Sequence, residues 1–107
     1  MSILAFRTPP GGVVINTGNS VNLGVVDVSP FSQIRVIADE RFDSSSDVTI
    51  TLTVTEGTEL IYELAKLHLT PGSSKTFVYD VPGTKLTVYA NATGCGSAGI
   101  DVLIYGN

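Results

Sequence analysis

The amino-acid sequence predicts an all-β fold, an antiparallel β-sandwich of about eight strands with a jelly-roll-like arrangement. Three observations carry this. Val48-Thr49-Ile50-Thr51-Leu52-Thr53-Val54-Thr55 alternates strictly between an apolar side chain and threonine. A strand points successive side chains to opposite faces, so this is one strand with a dry face and a wet face. Turn residues recur roughly every eight to twelve positions, the rhythm of a sandwich or barrel. Between those turns the apolar spacing is almost everywhere two.

Taken in order, residues 1–12 read as an extended N-terminal segment closed by Pro9-Pro10-Gly11-Gly12, followed by a brief apolar run, Val13 to Ile15. Ser20 to Val28 reads as a strand whose apolar phase slips at Gly24: Val21, Leu23 and Val25 are odd, whereas Val26 and Val28 are even. A β-bulge at Gly24 accounts for the slip. Ser29-Pro30 breaks the chain. Phe31 to Ala38 places Ile34, Val36 and Ala38 on one face, and Asp39 to Asp47 is a polar loop. The threonine strand follows and ends at a tight Glu56-Gly57 turn.

Glu59 to Leu69 is ambiguous. Leu60, Ile61, Leu64 and Leu67 make a helical stripe. A strand is favoured, because every neighbour is a strand and the turn leads into a hairpin partner. That strand has Leu60, Tyr62 and Leu64 on one face, and Leu67 and Leu69 on the other after a phase change. Turns at Thr70-Pro71-Gly72-Ser73-Ser74 and Pro82-Gly83 bracket an alternating Phe77, Tyr79, Val81. Leu86, Val88, Ala90 and Ala92 then alternate, Thr93 to Gly99 is glycine-rich, and Ile100, Val102 and Ile104 line the last strand. The expected core is Ile34, Val36, Val48, Ile50, Leu52, Val54, Phe77, Tyr79, Leu86, Val88, Val102 and Ile104.

With 107 residues the chain is expected to form one domain with one core. Cys95 is the only cysteine, so an internal disulfide is impossible. Charged residues make up 15%, against about 25% in an ordinary soluble domain. The mean hydropathy is +0.31, yet no apolar run approaches the roughly 20 residues of a membrane helix. A chain this apolar without a membrane span is expected to hide surface in contacts between copies. The net charge is −4, and six basic residues are scattered along the chain. Nucleic-acid binding needs them clustered, so that class is set aside. The N-terminus lacks the basic start of a secretory signal, which leads to an expected cytoplasmic location.

Several motifs invite chemistry. Gly94-Cys95-Gly96-Ser97-Ala98-Gly99 has the letters of a dinucleotide fingerprint, but a strand follows where a helix is needed. Cys95 and His68 lack an activating neighbourhood, and no catalytic residue or cofactor is expected. Asp39, Glu40, Asp43 and Asp47 gather four carboxylates on one loop and are the calcium candidates, without EF-hand spacing. Asn91-Ala92-Thr93 has the letters of a glycosylation sequon. The threonine row has the look of an ice-binding surface, but such surfaces use several rows; it is read as a solvent face. Tyr89 and Tyr105 fall out of phase with their strands' core residues, as platforms for a sugar or as interface residues.

Asp80-Val81-Pro82-Gly83-Thr84-Lys85-Leu86-Thr87-Val88-Tyr89-Ala90, Phe31-Ser32-Gln33-Ile34-Arg35-Val36 and Ile100-Asp101-Val102-Leu103-Ile104-Tyr105-Gly106 resemble small uncharacterised bacterial β-sandwich proteins. The resemblance implies a fold and brings no activity with it. The function expected from the residues is a non-enzymatic structural or interaction module that forms a homo-oligomer. The alternative is a carbohydrate- or small-ligand-binding module assisted by calcium.

Overall fold

The computed structural model describes residues 3–9, 12–16, 20–56, 59–80, 85–93 and 96–107. These contain nine strands: β1 (Ile3–Arg7), β2 (Val13–Asn16), β3 (Ser20–Asp27), β4 (Gln33–Glu40), β5 (Val48–Glu56), β6 (Glu59–Leu69), β7 (Ser74–Asp80), β8 (Lys85–Ala92) and β9 (Ser97–Gly106). One sheet runs β1-β9-β4-β7, with β2 also on β9; the other runs β3-β8-β5-β6. Every pairing is antiparallel.

The strand order has a simple origin. β5 pairs β6, β4 pairs β7, β3 pairs β8, and β1 and β2 pair β9. The chain is thus one long hairpin, rolled so that β9 also meets β4 and β8 also meets β5. That is a jelly roll, a five-stranded and a four-stranded layer of Greek-key connectivity. The ninth strand arises because the first arm of the hairpin is broken. β1 covers β9 from Gly106 to Leu103 and β2 covers it from Ile100 to Ser97. Between them Thr8 bridges the gap: its N–H donates to Val102 O (3.0 Å), and its Oγ1 accepts from Val102 N–H (3.2 Å).

Alternation places the core. Val48, Ile50, Leu52 and Val54 of β5 are buried, as are Ile34, Val36 and Ala38 of β4, Leu86, Val88, Ala90 and Ala92 of β8, and Ala98, Ile100, Val102 and Ile104 of β9. Ile15, Val26, Val28, Leu67 and Leu69 complete it. The bulge at Gly24 is present, as a register shift between Asn22 and Gly24. Gly24 has φ +149°, and the Phe6 ring lies 2.9 Å from where a Cβ would sit. Glycine is therefore required there for both conformation and space.

Segment 59–69 is a strand, and two bulges produce its phase change. Leu52 pairs Ala65 but Thr53 pairs Glu63, and Val54 pairs Tyr62 but Thr55 pairs Leu60. Each shift inserts one residue, which is how a strand acquires a spacing that imitates a helix. The expected turns at Glu56-Gly57 and Pro82-Gly83 include positions outside the described residues, and Val81 lies outside them altogether.

One core expectation is corrected. Phe77 is 42% exposed. It sits opposite the buried Val36 and so points to the inner face, but β7 is the last strand of its sheet and no described strand pairs with its outer edge. Phe77 instead stacks on the half-buried Tyr79, with ring centroids 6.2 Å apart and planes at 26°. At the other flank Phe6 lies across Gly24 and closes the gap between the layers.

Candidate interaction surface

The outward faces of the two sheets differ in chemistry. On β5 the outward residues are Thr49, Thr51, Thr53 and Thr55. Their register partners are His68, Lys66, Glu63 and Leu60 on β6 and Asn91, Tyr89, Thr87 and Lys85 on β8. Lys66 Nζ lies 3.6 Å from Glu63 Oε1, and Thr55 Oγ1 donates to Lys85 O at 3.4 Å. The threonines are half-buried or buried between these neighbours. Among the described residues Val25 on β3 is the one large apolar side chain more than half exposed on this face.

The outward face of the β1-β9-β4-β7 sheet mixes apolar side chains with two exposed arginines. Leu4, Tyr105, Arg35 and Val78 form one row across the four strands, and Arg7, Leu103, Ile37 and Thr76 form the next. Leu4 is 42% and Val78 52% exposed; Tyr105, Leu103 and Ile37 are half-buried. Arg41 lies against Gly99, whose missing side chain leaves it room, and its Nε is 3.5 Å from Asp101 Oδ2.

Tyr89 and Tyr105 stand on the outward faces of opposite sheets, so no single small ligand touches both. Tyr105 borders a hollow of about 50 Å³ with Gln33, Ile34, Arg35, Val78 and Asn107. Tyr89 borders a shallow open depression with Ser20, Thr51, Glu63 and Lys66.

The four carboxylates of the β4–β5 region are divided by the strand. Asp39 is outward, opposite Asp101 and Ser74. Glu40 is inward and fully buried, continuing the row Ile34, Val36, Ala38. Asp43 is exposed in the loop. Asp47 Oδ2 lies 3.5 Å from His68 Nε2. Among the described residues, no three His, Cys, Asp or Glu side chains are grouped to hold a metal ion. Cys95 lies outside the described residues. His68 points outward between the buried Leu67 and Leu69.

Glu40 is the feature that sequence reasoning misplaced. It lies at the end of β4 and not on the expected polar loop, and among the described residues neither carboxylate oxygen meets hydrogen-bond geometry. Burial raises its pKa, and the negative charge of Asp47 adds to that; the nearby Ser44 hydroxyl and His68 act in the opposite sense. The signal was available: Glu40 keeps the period-two phase of the core residues before it. Asp27 shows the reverse case. It is an exposed carboxylate that accepts the Ser29 N–H at 3.0 Å, and this bond holds its pKa below the usual range.

No protein-family model and no curated protein matches the chain. Among solved structures it is similar to a protein of the disulfide-linked pili formed by Bacillus endospore appendages, with a TM-score of 0.57 and 16% identity over 99% of this chain and 88% of that one. It is also similar to a de novo designed double-stranded β-helix, with a TM-score of 0.51 and 17% identity over 95% of this chain and 99% of that one. At these identities the likeness is one of fold. Among the described residues no helix is long and apolar enough to cross a membrane.

Proposed function

We propose that this protein is a non-enzymatic structural module that acts by associating with copies of itself through its β1-β9-β4-β7 sheet. One observation carries the reading: the two outward faces are unequal. The threonine face is mostly hydroxyls and charges, with Tyr89 and the exposed Val25 among them. The opposite sheet exposes Leu4 and Val78 with Ile37, Leu103 and Tyr105 beside them, and Phe77 at its edge. Grouped exposed apolar side chains mark a contact surface. The low share of charged residues supports this, since charges are depleted at the centre of interfaces. The fold shared with a pilus protein is in keeping with it.

Sedimentation equilibrium from about 1 μM to 1 mM tests the reading, a range that spans weak to moderate association. The expected result is a mass that rises above 11.2 kDa with concentration. A single monomer mass throughout the range contradicts it.

A further inference from the structure

Resting on the self-association in that reading, and leaving its outward face for further contacts, we propose that one contact is made by the β7 edge, which pairs antiparallel with β7 of a second copy and joins two sheets into one. The four flanking positions of the sandwich are not equivalent. The β1/β2 edge shifts register between Leu4 and Phe6 and is interrupted between its two strands. β3 is bulged between Asn22 and Gly24, and β6 is bulged twice. Bulges and breaks are how natural proteins blunt a sheet edge against pairing. β7 has none: seven consecutive residues, Ser74 to Asp80, run in unbroken register along β4.

The free hydrogen-bonding groups of β7 follow from β4. Glu40 N–H donates to Ser73 O at 2.9 Å, whereas Arg41 N–H donates to Gly99 O at 2.8 Å. Even-numbered residues of β4 therefore face β7, and odd-numbered ones face β9. By register, Lys75, Phe77 and Tyr79 bond back to β4. Thr76 and Val78 turn their N–H and C=O groups away from the molecule.

A second β7 satisfies these groups in a self-complementary register. A twofold axis perpendicular to the sheet keeps inner faces together, so Phe77 is placed opposite Phe77 of the other copy. Thr76 and Val78 then exchange backbone bonds with the other copy's Val78 and Thr76. The exposed Phe77 rings meet in a pair without backbone bonds, where side chains approach most closely. Lys75 faces Tyr79 of the other copy, within reach of its ring. Charge selects the direction. Antiparallel pairing sets each Lys75 end beside the other copy's Asp80 end, whereas parallel pairing would set like against like. A strand pair of this length is a small interface, so the association is expected to be reversible.

The test uses the full chain. Proline at an outward-facing N–H leaves the β4 ladder intact and removes a bond only to a partner. Val78→Pro is therefore expected to weaken association at least tenfold in sedimentation equilibrium, with an unchanged far-ultraviolet spectrum. Val78→Lys, a surface change, is expected to do the same and serves if the proline variant does not fold. Opposite Cα atoms in such a pair are about 4.5 Å apart, within disulfide range. So Phe77→Cys in a Cys95→Ser background is expected to cross-link into dimers on mild oxidation, and Val78→Cys in that background is not. Wild-type association that both Val78 variants leave unchanged overturns the β7 assignment while self-association stands. Cross-linking through Val78→Cys and not Phe77→Cys overturns the register. A wild-type chain that stays monomeric throughout overturns both readings.

Discussion

Replacing Glu40 should stabilise this protein, and should do so increasingly as pH rises. Its carboxylate is fully buried at the end of β4, with neither oxygen hydrogen-bonded among the described residues. A buried polar group without a partner costs about 1–3 kcal/mol, more when charged. Methionine has a similar length and shape without that cost. Glu40→Met is therefore expected to gain about 1–3 kcal/mol at pH 7, or roughly 4–20 °C in melting temperature for a domain of this size. The pH dependence separates the charge from the shape. Because the folded-state pKa is raised, the folded protein holds this proton more tightly than the unfolded chain does. Stability from this group is then full below the ordinary carboxylate range and is lost as pH rises through the raised value. Thermal melts from pH 4 to pH 8 of the wild type, Glu40→Gln and Glu40→Met read this directly. The gap between wild type and both variants should be smallest at pH 4 and widen upward. A gap independent of pH, or a Glu40→Met variant less stable than wild type at pH 8, would refute the reasoning.

Three further outcomes are expected. Thr8→Val removes the hydroxyl that accepts the buried Val102 N–H and should cost about 1–3 kcal/mol, read by urea unfolding; a cost within about 0.5 kcal/mol, the usual surface range, would show that the bridge is dispensable. Ile50→Ala opens the core and should cost about 2–5 kcal/mol, while Thr51→Ala on the outward face of the same strand stays within about 0.5 kcal/mol; equal drops in melting temperature would contradict the one-dry-face description of β5. Asp27→Asn should destabilise at pH 7 and make no difference once the pH has fallen through the depressed folded-state pKa, since a lowered carboxylate pKa contributes stability that acid removes; a difference that persists in acid would assign the effect to something other than the charge.

How much of the fold was legible depended on whether a residue's fate was set locally. The threonine strand was readable because each of its residues alternates with its neighbours, and Val48, Ile50, Leu52 and Val54 are buried as expected. The slip at Gly24 was readable for the same reason. Segment 59–69 was readable as a strand only through its neighbours, because two bulges against β5 give it the spacing of a helix, and bulges belong to a pair of strands. Phe77 was assigned to the correct face and the wrong environment. Facing inward follows from alternation, but being covered follows from strand order, and β7 turned out to be terminal. β1 was obscured by the prolines that follow it. At the candidate surface, Tyr105 was visible as a residue out of phase, and Ile37 and Leu103 share its outward phase. That they share one sheet with Leu4 and Val78, while Tyr89 lies on the other, is a consequence of topology.

Amide hydrogen exchange at Thr76 and Val78 tests the assembly claim most directly. In an isolated molecule these two N–H groups face solvent from an edge strand and exchange quickly, whereas the neighbouring Phe77 N–H is protected by β4. If β7 pairs with a second copy, protection at Thr76 and Val78 should rise with protein concentration while that at Phe77 barely changes. Fast exchange at both positions, in solutions where sedimentation shows the protein to be associated, would contradict the account.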